Sequence, residues 1–252
     1  MALGDIHGDV QGCFMKTTLS ELNIRRANER GHGDHGWLNS YHTFSFADYY
    51  DPAHVGFRSL RVINDDRVAA GKGFGAHPHR DMEIFSYVLE GTLEHKDSMG
   101  NGRQLKPGRI QLMSAGRGVT HSEFNPSATE PLHFLQIWIQ PCERGLAPSY
   151  TEWHPKPENA KAPKVLVISP DGRDGSATIH QDVDVYRIRL EEGQTVSHEI
   201  KPGRGAWLHV ADGALTLNGA ELATGDGAST EAPGLLTMKA EKPTEALLFD
   251  IA

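Results

Sequence analysis

His77-Pro-His79-Arg-Asp-Met-Glu83, answered at His121-Ser-Glu123-Phe-Asn125, is the stretch that decides how this 252-residue chain is read. A β-strand sends every second side chain to one face, so His77 and His79 point together, and so do His121 and Glu123. The two members of each pair stand roughly 6–7 Å apart along the strand at about 3.3 Å per residue, before the side chains converge. Two such strands facing one another inside a barrel deliver three imidazoles and a carboxylate to one point, the donor set of a metal centre. Pro78 fits a strand entry or edge, where a missing N–H is tolerated. The choice of carboxylate stays open at this level. Glu83 shares parity with His77 and His79 on an undistorted strand, and Glu123 shares it with His121, but a bulge at Arg80-Asp81 breaks the first relation. A carboxylate that is not a ligand can instead hydrogen-bond a ligand histidine and fix its tautomer.

Outward from these residues the chain reads as short strands and turns. Strands are predicted over residues 59–63, 83–89, 92–96, 110–113, 119–124 and 133–139, and another runs through Gly71 to Gly75 into the histidines. Turns are predicted at Asn64-Asp65-Asp66, Gly100-Asn-Gly102 and Pro107-Gly108. With 27 glycines and 14 prolines, this favours an all-β fold over a helix bundle. The aromatic run Trp37, Tyr41, Phe44, Phe46, Tyr49 and Tyr50 is expected to pack over a core or a barrel end.

Residues 141–163 carry five prolines and read as a linker. Beyond it the turn grammar recurs. Gly71-Lys-Gly-Phe-Gly-Ala-His77 is echoed by Gly193-Gln-Thr-Val-Ser-His198, which predicts an internal duplication into two similar β-barrels. The organisation expected is a flexible leader at 1–22, a metal-binding domain at 23–141, a linker at 142–163 and a degenerate domain at 164–252. His198 has no second histidine at i+2, so the second barrel is expected to lack a metal. His95, His133, His180 and His198 are read as ordinary structural histidines.

Composition excludes several classes. A net charge of −8 with no basic run argues against a protein that neutralises nucleic-acid phosphates. No apolar run approaches the eighteen or so residues of a membrane span. Two cysteines, Cys13 and Cys142, without a CxxC pair or a secretory signal, fit free thiols in a reducing compartment and a cytoplasmic location. Gly4-Asp5-Ile6-His7-Gly8 looks like the first metallophosphatase motif, but its partner motifs are missing downstream.

Residues 73–91 and 107–125 resemble the two cupin motifs. The fuller run resembles the pirin family, especially its bacterial quercetinase-like members: residues 31–50, Arg61-Val-Ile-Asn-Asp65, His77 to Glu83, Met113-Ser-Ala-Gly-Arg-Gly118 and His121-Ser-Glu123. The resemblance implies a bicupin whose N-terminal barrel holds iron through His77, His79, His121 and Glu123, with Glu83 as an orienting neighbour. It also implies a dioxygenase that opens the heterocyclic ring of flavonols such as quercetin with loss of carbon monoxide, using no organic cofactor. Fe(II) is the metal expected, with Mn, Co, Ni, Cu or Zn able to compete. Glu123 is the candidate base for the flavonol hydroxyl. The alternative that the resemblance carries is a redox-sensitive regulatory protein acting through a protein partner.

Overall fold

The computed structural model describes residues 22–157 and 159–252. All but the last residue of the expected leader, together with the Gly4–Gly8 motif and Cys13, lies outside them. The described strands in the first half are β1 (Asn23–Arg25), β2 (Gly31–Asp34), β3 (Leu38–His42), β4 (Leu60–Val68), β5 (Gly73–His79), β6 (Glu83–Glu90), β7 (Leu93–Asp97), β8 (Gly102–Leu105), β9 (Ile110–Ser114), β10 (Val119–Phe124), β11 (Leu132–Ile139) and β12 (Ser149–Trp153). The second half holds β13 (Lys164–Ser169), β14 (Ala177–Thr178), β15 (Val183–Leu190), β16 (Thr195–Ile200), β17 (Gly205–Asp212), β18 (Ala214–Leu217), β19 (Ala220–Ala223), β20 (Gly227–Thr230), β21 (Gly234–Ala240) and β22 (Thr244–Ile251).

Each half pairs a seven-stranded sheet with a four-stranded one. The small sheets run β5-β10-β7-β8 and β16-β21-β18-β19. The large sheets contain β9-β6-β11-β4-β3 and β20-β17-β22-β15-β13 in corresponding order. Strands β4 to β11 thus reappear as β15 to β22, which is the duplication the turn grammar predicts. The fold is an all-β bicupin.

Edge strands tie the halves together. β1 precedes the first barrel in sequence yet pairs with β20 of the second. β12 lies in the proline-rich stretch read as a linker, but it pairs with β9 over its full length and extends the first large sheet. Both additions cover edges that would otherwise expose unpaired N–H and C=O groups.

Strand alternation sorts the core. On the outer face of the first large sheet, Ile63, Phe85, Tyr87, Leu112 and Ile137 meet Val167, Val185, Trp207 and Phe249 of the second in one cluster shared by both domains. The interior of the second barrel is a single aliphatic cluster including Ile188, Leu190, Leu208, Met238 and Leu248. The interior of the first is different. Its apolar residues fall into two separate groups, around Val68, Val88 and Phe134 and around Ile84, Met113 and Val119, with polar side chains between them.

One expectation is corrected here and another is met only in part. Asn64-Asp65-Asp66 is no turn but the middle of β4, paired on both sides. Turn-forming residues can sit there because each has a cross-strand partner: His42 for Asn64, His133 for Asp65 and Ser40 for Asp66. The aromatic run also divides. Phe44 packs on Trp207 at 4.8 Å between ring centroids, Phe46 meets Trp138 edge-on at 5.4 Å inside the first barrel, and Tyr50 is 73% exposed.

Candidate metal centre

β5 and β10 are antiparallel neighbours in the small sheet, and their register sets His77 directly opposite His121. Ring nitrogens of His77, His79 and His121 lie within 4.8 Å of one another. The Nε2 atoms of His77 and His121 face each other at 3.1 Å. Nδ1 of His77 lies 2.7 Å from the Gly75 carbonyl, so it carries the proton and leaves Nε2 as a lone pair. Nε2 of His79 is buried with no hydrogen-bond partner. Burial, then the neighbouring imidazoles His121 and His77, lower His79 to about 4. Burial, then His77 and His95, lower His121 to about 3. The His79 and His121 rings are therefore neutral near pH 7, the form that binds metal. Converging lone pairs and one orphaned buried nitrogen are unfavourable alone, and a cation satisfies them together.

His95 belongs to the same constellation, although it was read as an ordinary histidine. It is fully buried on β7, opposite Glu123 across the ladder, and forms a second cluster with His121 and Glu123. Its Nε2 lies 3.3 Å from Asp97 Oδ2 and its Nδ1 lies 3.4 Å from His121 Nδ1. With a proton on His95 Nε2, its Nδ1 accepts from His121 Nδ1–H, and the lone pair of His121 is then directed from Nε2 toward His77. The signal was present in sequence as His95-Lys-Asp97, a same-face pair.

Glu123 is buried and its carboxylate is held from the opposite sheet. Ser86 donates to Oε1 at 2.8 Å and the Gln136 amide donates to Oε2 at 2.6 Å. Ser86 and Gln136 are members of a buried polar row across the large sheet, His42–Asn64–Gln136–Ser86–Gln111, each residue registered on the next. This row separates the two apolar groups of the first barrel. The corresponding transverse row in the second barrel is Tyr186–Leu248–Leu208–Ala228.

Glu83 is elsewhere. β5 ends at His79, Asp81 takes a left-handed conformation at φ 50°, and β6 starts in the other sheet, so parity does not carry across. Glu83 shares the outer face of β6 with Phe85 and Tyr87. It accepts from Ser114 Oγ at 2.6 Å and lies 3.4 Å from His180 of the second domain. It is therefore not an orienting neighbour of the histidines. His133 and His198 pair with Asp65 and Asp250, in keeping with structural roles.

A cavity of about 240 Å³ opens beside the cluster. His77 and Glu123 line one side, Ser40, His42, Asn64 and Asp66 another, and Phe46, Phe74 and Trp138 supply aromatic walls. Burial, aided by the charges of Asp65 and Glu123 and opposed by the Ser40 hydrogen bond, lifts the Asp66 carboxyl to about 7.

The family model described as Pirin matches residues 23–139, and one described as the quercetinase C-terminal cupin domain matches 166–251. Quercetin 2,3-dioxygenase of Escherichia coli K12 is 52% identical over 228 residues, covering 90% of this chain and 97% of the relative. The chain belongs to the pirin family. The crystal structure of the bacterial pirin YhhW from E. coli in complex with nickel(II) is 51% identical, with a TM-score of 0.87 over 91% of this chain and 98% of that one. A quercetin 2,3-dioxygenase from Acinetobacter baumannii, at 22% identity and a TM-score of 0.72 over 90% of this chain and 85% of that one, shares the fold.

In this pirin the approach of the two histidine strands depends on Gly73. A Cβ there would lie 2.3 Å from the Glu123 carbonyl and 2.5 Å from the Phe124 Cα, so the backbones would have to part. Gly73→Ala is expected to cost about 1–3 kcal/mol of stability, as overpacking does. It should also weaken metal retention, because β5 carries two of the histidines. A urea midpoint and metal content equal to those of the parent would contradict this.

Proposed function

We propose that this pirin is a metal-dependent dioxygenase that opens the heterocyclic ring of a flavonol such as quercetin, releases carbon monoxide and uses Fe(II). The observation that carries the reading is the three-histidine cluster, whose His77 lines an aromatic-walled cavity together with Glu123. Relatives named quercetin 2,3-dioxygenase support the substrate class. The nickel(II) in a related structure agrees with a nitrogen and oxygen donor set that accepts late first-row divalent ions. His77, His79, His121 and Glu123 are the proposed ligands. When bound, the metal supplies Lewis acidity and redox capacity toward dioxygen.

The protein's part is positioning and proton transfer. Phe46, Phe74 and Trp138 stack against a flat ring and keep water from its faces. Glu123 offers about four lone-pair sites on its two oxygens, and Ser86 and Gln136 occupy two of them. The remaining sites serve as a ligand and as the acceptor of the flavonol 3-hydroxyl proton. The same two hydrogen bonds fix the carboxylate in place before substrate arrives. No helix among the described residues is long and apolar enough to cross a membrane.

The test is anaerobic loading with Fe(II), then quercetin and oxygen, following flavonol absorbance and carbon monoxide per substrate consumed. Stoichiometric carbon monoxide is expected. Glu123→Gln should lower turnover by roughly 10²–10⁴, the range for loss of a general base. No loss of quercetin by the loaded protein, or full turnover in Glu123→Gln, would overturn the assignment.

A further inference from the structure

We propose that Asn64 and Asp66 form a hydroxyl-reading wall, which binds a second, distal hydroxyl of a planar polyphenol whose reacting hydroxyl lies at the histidine cluster. This rests on the flavonol reading above and names the feature of the substrate that the cavity selects.

Asn64 and Asp66 stand at i and i+2 on β4, so both face the barrel interior, and both line the same cavity as His77 and Glu123. Asn64 is one strand beyond Gln136, which holds Glu123. The wall therefore lies about one to two strand spacings of roughly 4.8 Å from the carboxylate, within the reach of a fused-ring ligand. Each residue is braced on one side and free on the other. His42 Nδ1 lies 2.9 Å from Asn64 Oδ1, and Ser40 Oγ donates to Asp66 Oδ1. Burial holds His42 below its usual range, so its ring is neutral and Nδ1–H is the donor in this pair.

That leaves the Asn64 amide N–H groups and the second Asp66 oxygen with no protein partner among the described residues, although both residues are only 3% exposed. A phenolic hydroxyl is the complement of such a pair, since it donates once and accepts as well. At the corresponding positions the sister strand β15 turns Tyr186 and Ile188 inward, and Ile188 is buried in an aliphatic core where Asp66 has a carboxyl. Both side chains line the cavity, so their free donors and acceptor are offered to whatever occupies it.

The experiment compares equilibrium binding of quercetin and of 3-hydroxyflavone, which lacks every hydroxyl except the reacting one. Both are titrated by fluorescence into the metal-loaded protein under argon. The parent is expected to favour quercetin by roughly tenfold or more, the discrimination one buried hydrogen bond supports. In Asn64→Leu and in Asp66→Asn the ratio of the two affinities should fall toward one. Ser40→Ala removes only the hydroxyl that braces Asp66, and it should lower the ratio less; it serves as the milder variant should Asn64→Leu unfold. A parent that binds 3-hydroxyflavone without favouring quercetin, or a ratio unmoved by the variants, overturns the wall alone. A parent that binds neither flavonol overturns the wall together with the reading it rests on.

Discussion

His121→Ala is expected to lose the metal and to bring quercetin turnover to background while remaining folded. His121 is the hub of the site: it faces His77 on one side, stands 4.8 Å from the His79 ring centroid and meets His95 through its other nitrogen. Removing it eliminates a proposed ligand and separates the histidine pair from Glu123. Removing His95 or neutralising Asp97 should do less. Those residues fix which nitrogen of His121 carries the proton, and such outer partners are worth roughly 10–100-fold in metal affinity. Competition with a chelator, combined with elemental analysis, separates the outcomes: His121→Ala empty, His95→Ala and Asp97→Asn loaded but weaker. Thermal unfolding adds an independent readout. Metal should raise the midpoint of the parent and of the outer variants but not that of His121→Ala, because only a ligand that binds the native state stabilises it. Full metal occupancy in His121→Ala would place the ion elsewhere.

The part of this site that was legible in the sequence is the part that obeys the two-residue period. His77 with His79 and His121 with Glu123 could be read as pairs because each pair lies within one strand, and a strand fixes its own faces. What could not be read depends on pairing between strands far apart in the chain. Glu83 is four residues from His79 but lies across a left-handed residue and in another sheet, so its parity meant nothing. Ser86, Gln136 and Asn64 are unremarkable polar residues until the register lines them up into one row. Asn64-Asp65-Asp66 carries turn chemistry, and only the cross-strand partners His42, His133 and Ser40 reveal it as strand interior. The duplication was legible because turn residues recur along each copy. The crossing of β1 to the second barrel was not, because three residues carry too little pattern.

Asp65→Ala is expected to be among the most destabilising single changes outside the apolar cores, at about 3–5 kcal/mol. Asp65 and Asp66 are adjacent on β4 but face opposite sides of the sheet, and their environments differ accordingly. Asp65 faces the second domain and meets three cationic or protonatable groups: His133 at 2.7 Å, Arg30 at 3.2 Å and Arg67 at 3.2 Å. Burial alone would raise its carboxyl, but the hydrogen bond and charge of His133, with Arg30 and Arg67, outweigh this and hold it well below the usual range. The large cost comes from what the substitution leaves behind. The Arg30 side chain is only 6% exposed and its guanidinium also packs against Gly225 of the second barrel, so it would remain buried at the domain boundary without its carboxylate. Arg67 is 48% exposed, and Arg67→Ala should cost less than about 1 kcal/mol, as exposed pairs do. The pH dependence has a definite sign. A carboxyl whose folded value lies below the unfolded one, about 3.9, contributes fully above that value and loses its contribution as the pH falls beneath it. Urea midpoints of the parent should therefore drop on acidification below about pH 4, and those of Asp65→Asn should drop less steeply. Equal slopes, or an Asp65→Ala protein within about 1 kcal/mol of the parent at neutral pH, would mean that the cluster does not hold this boundary.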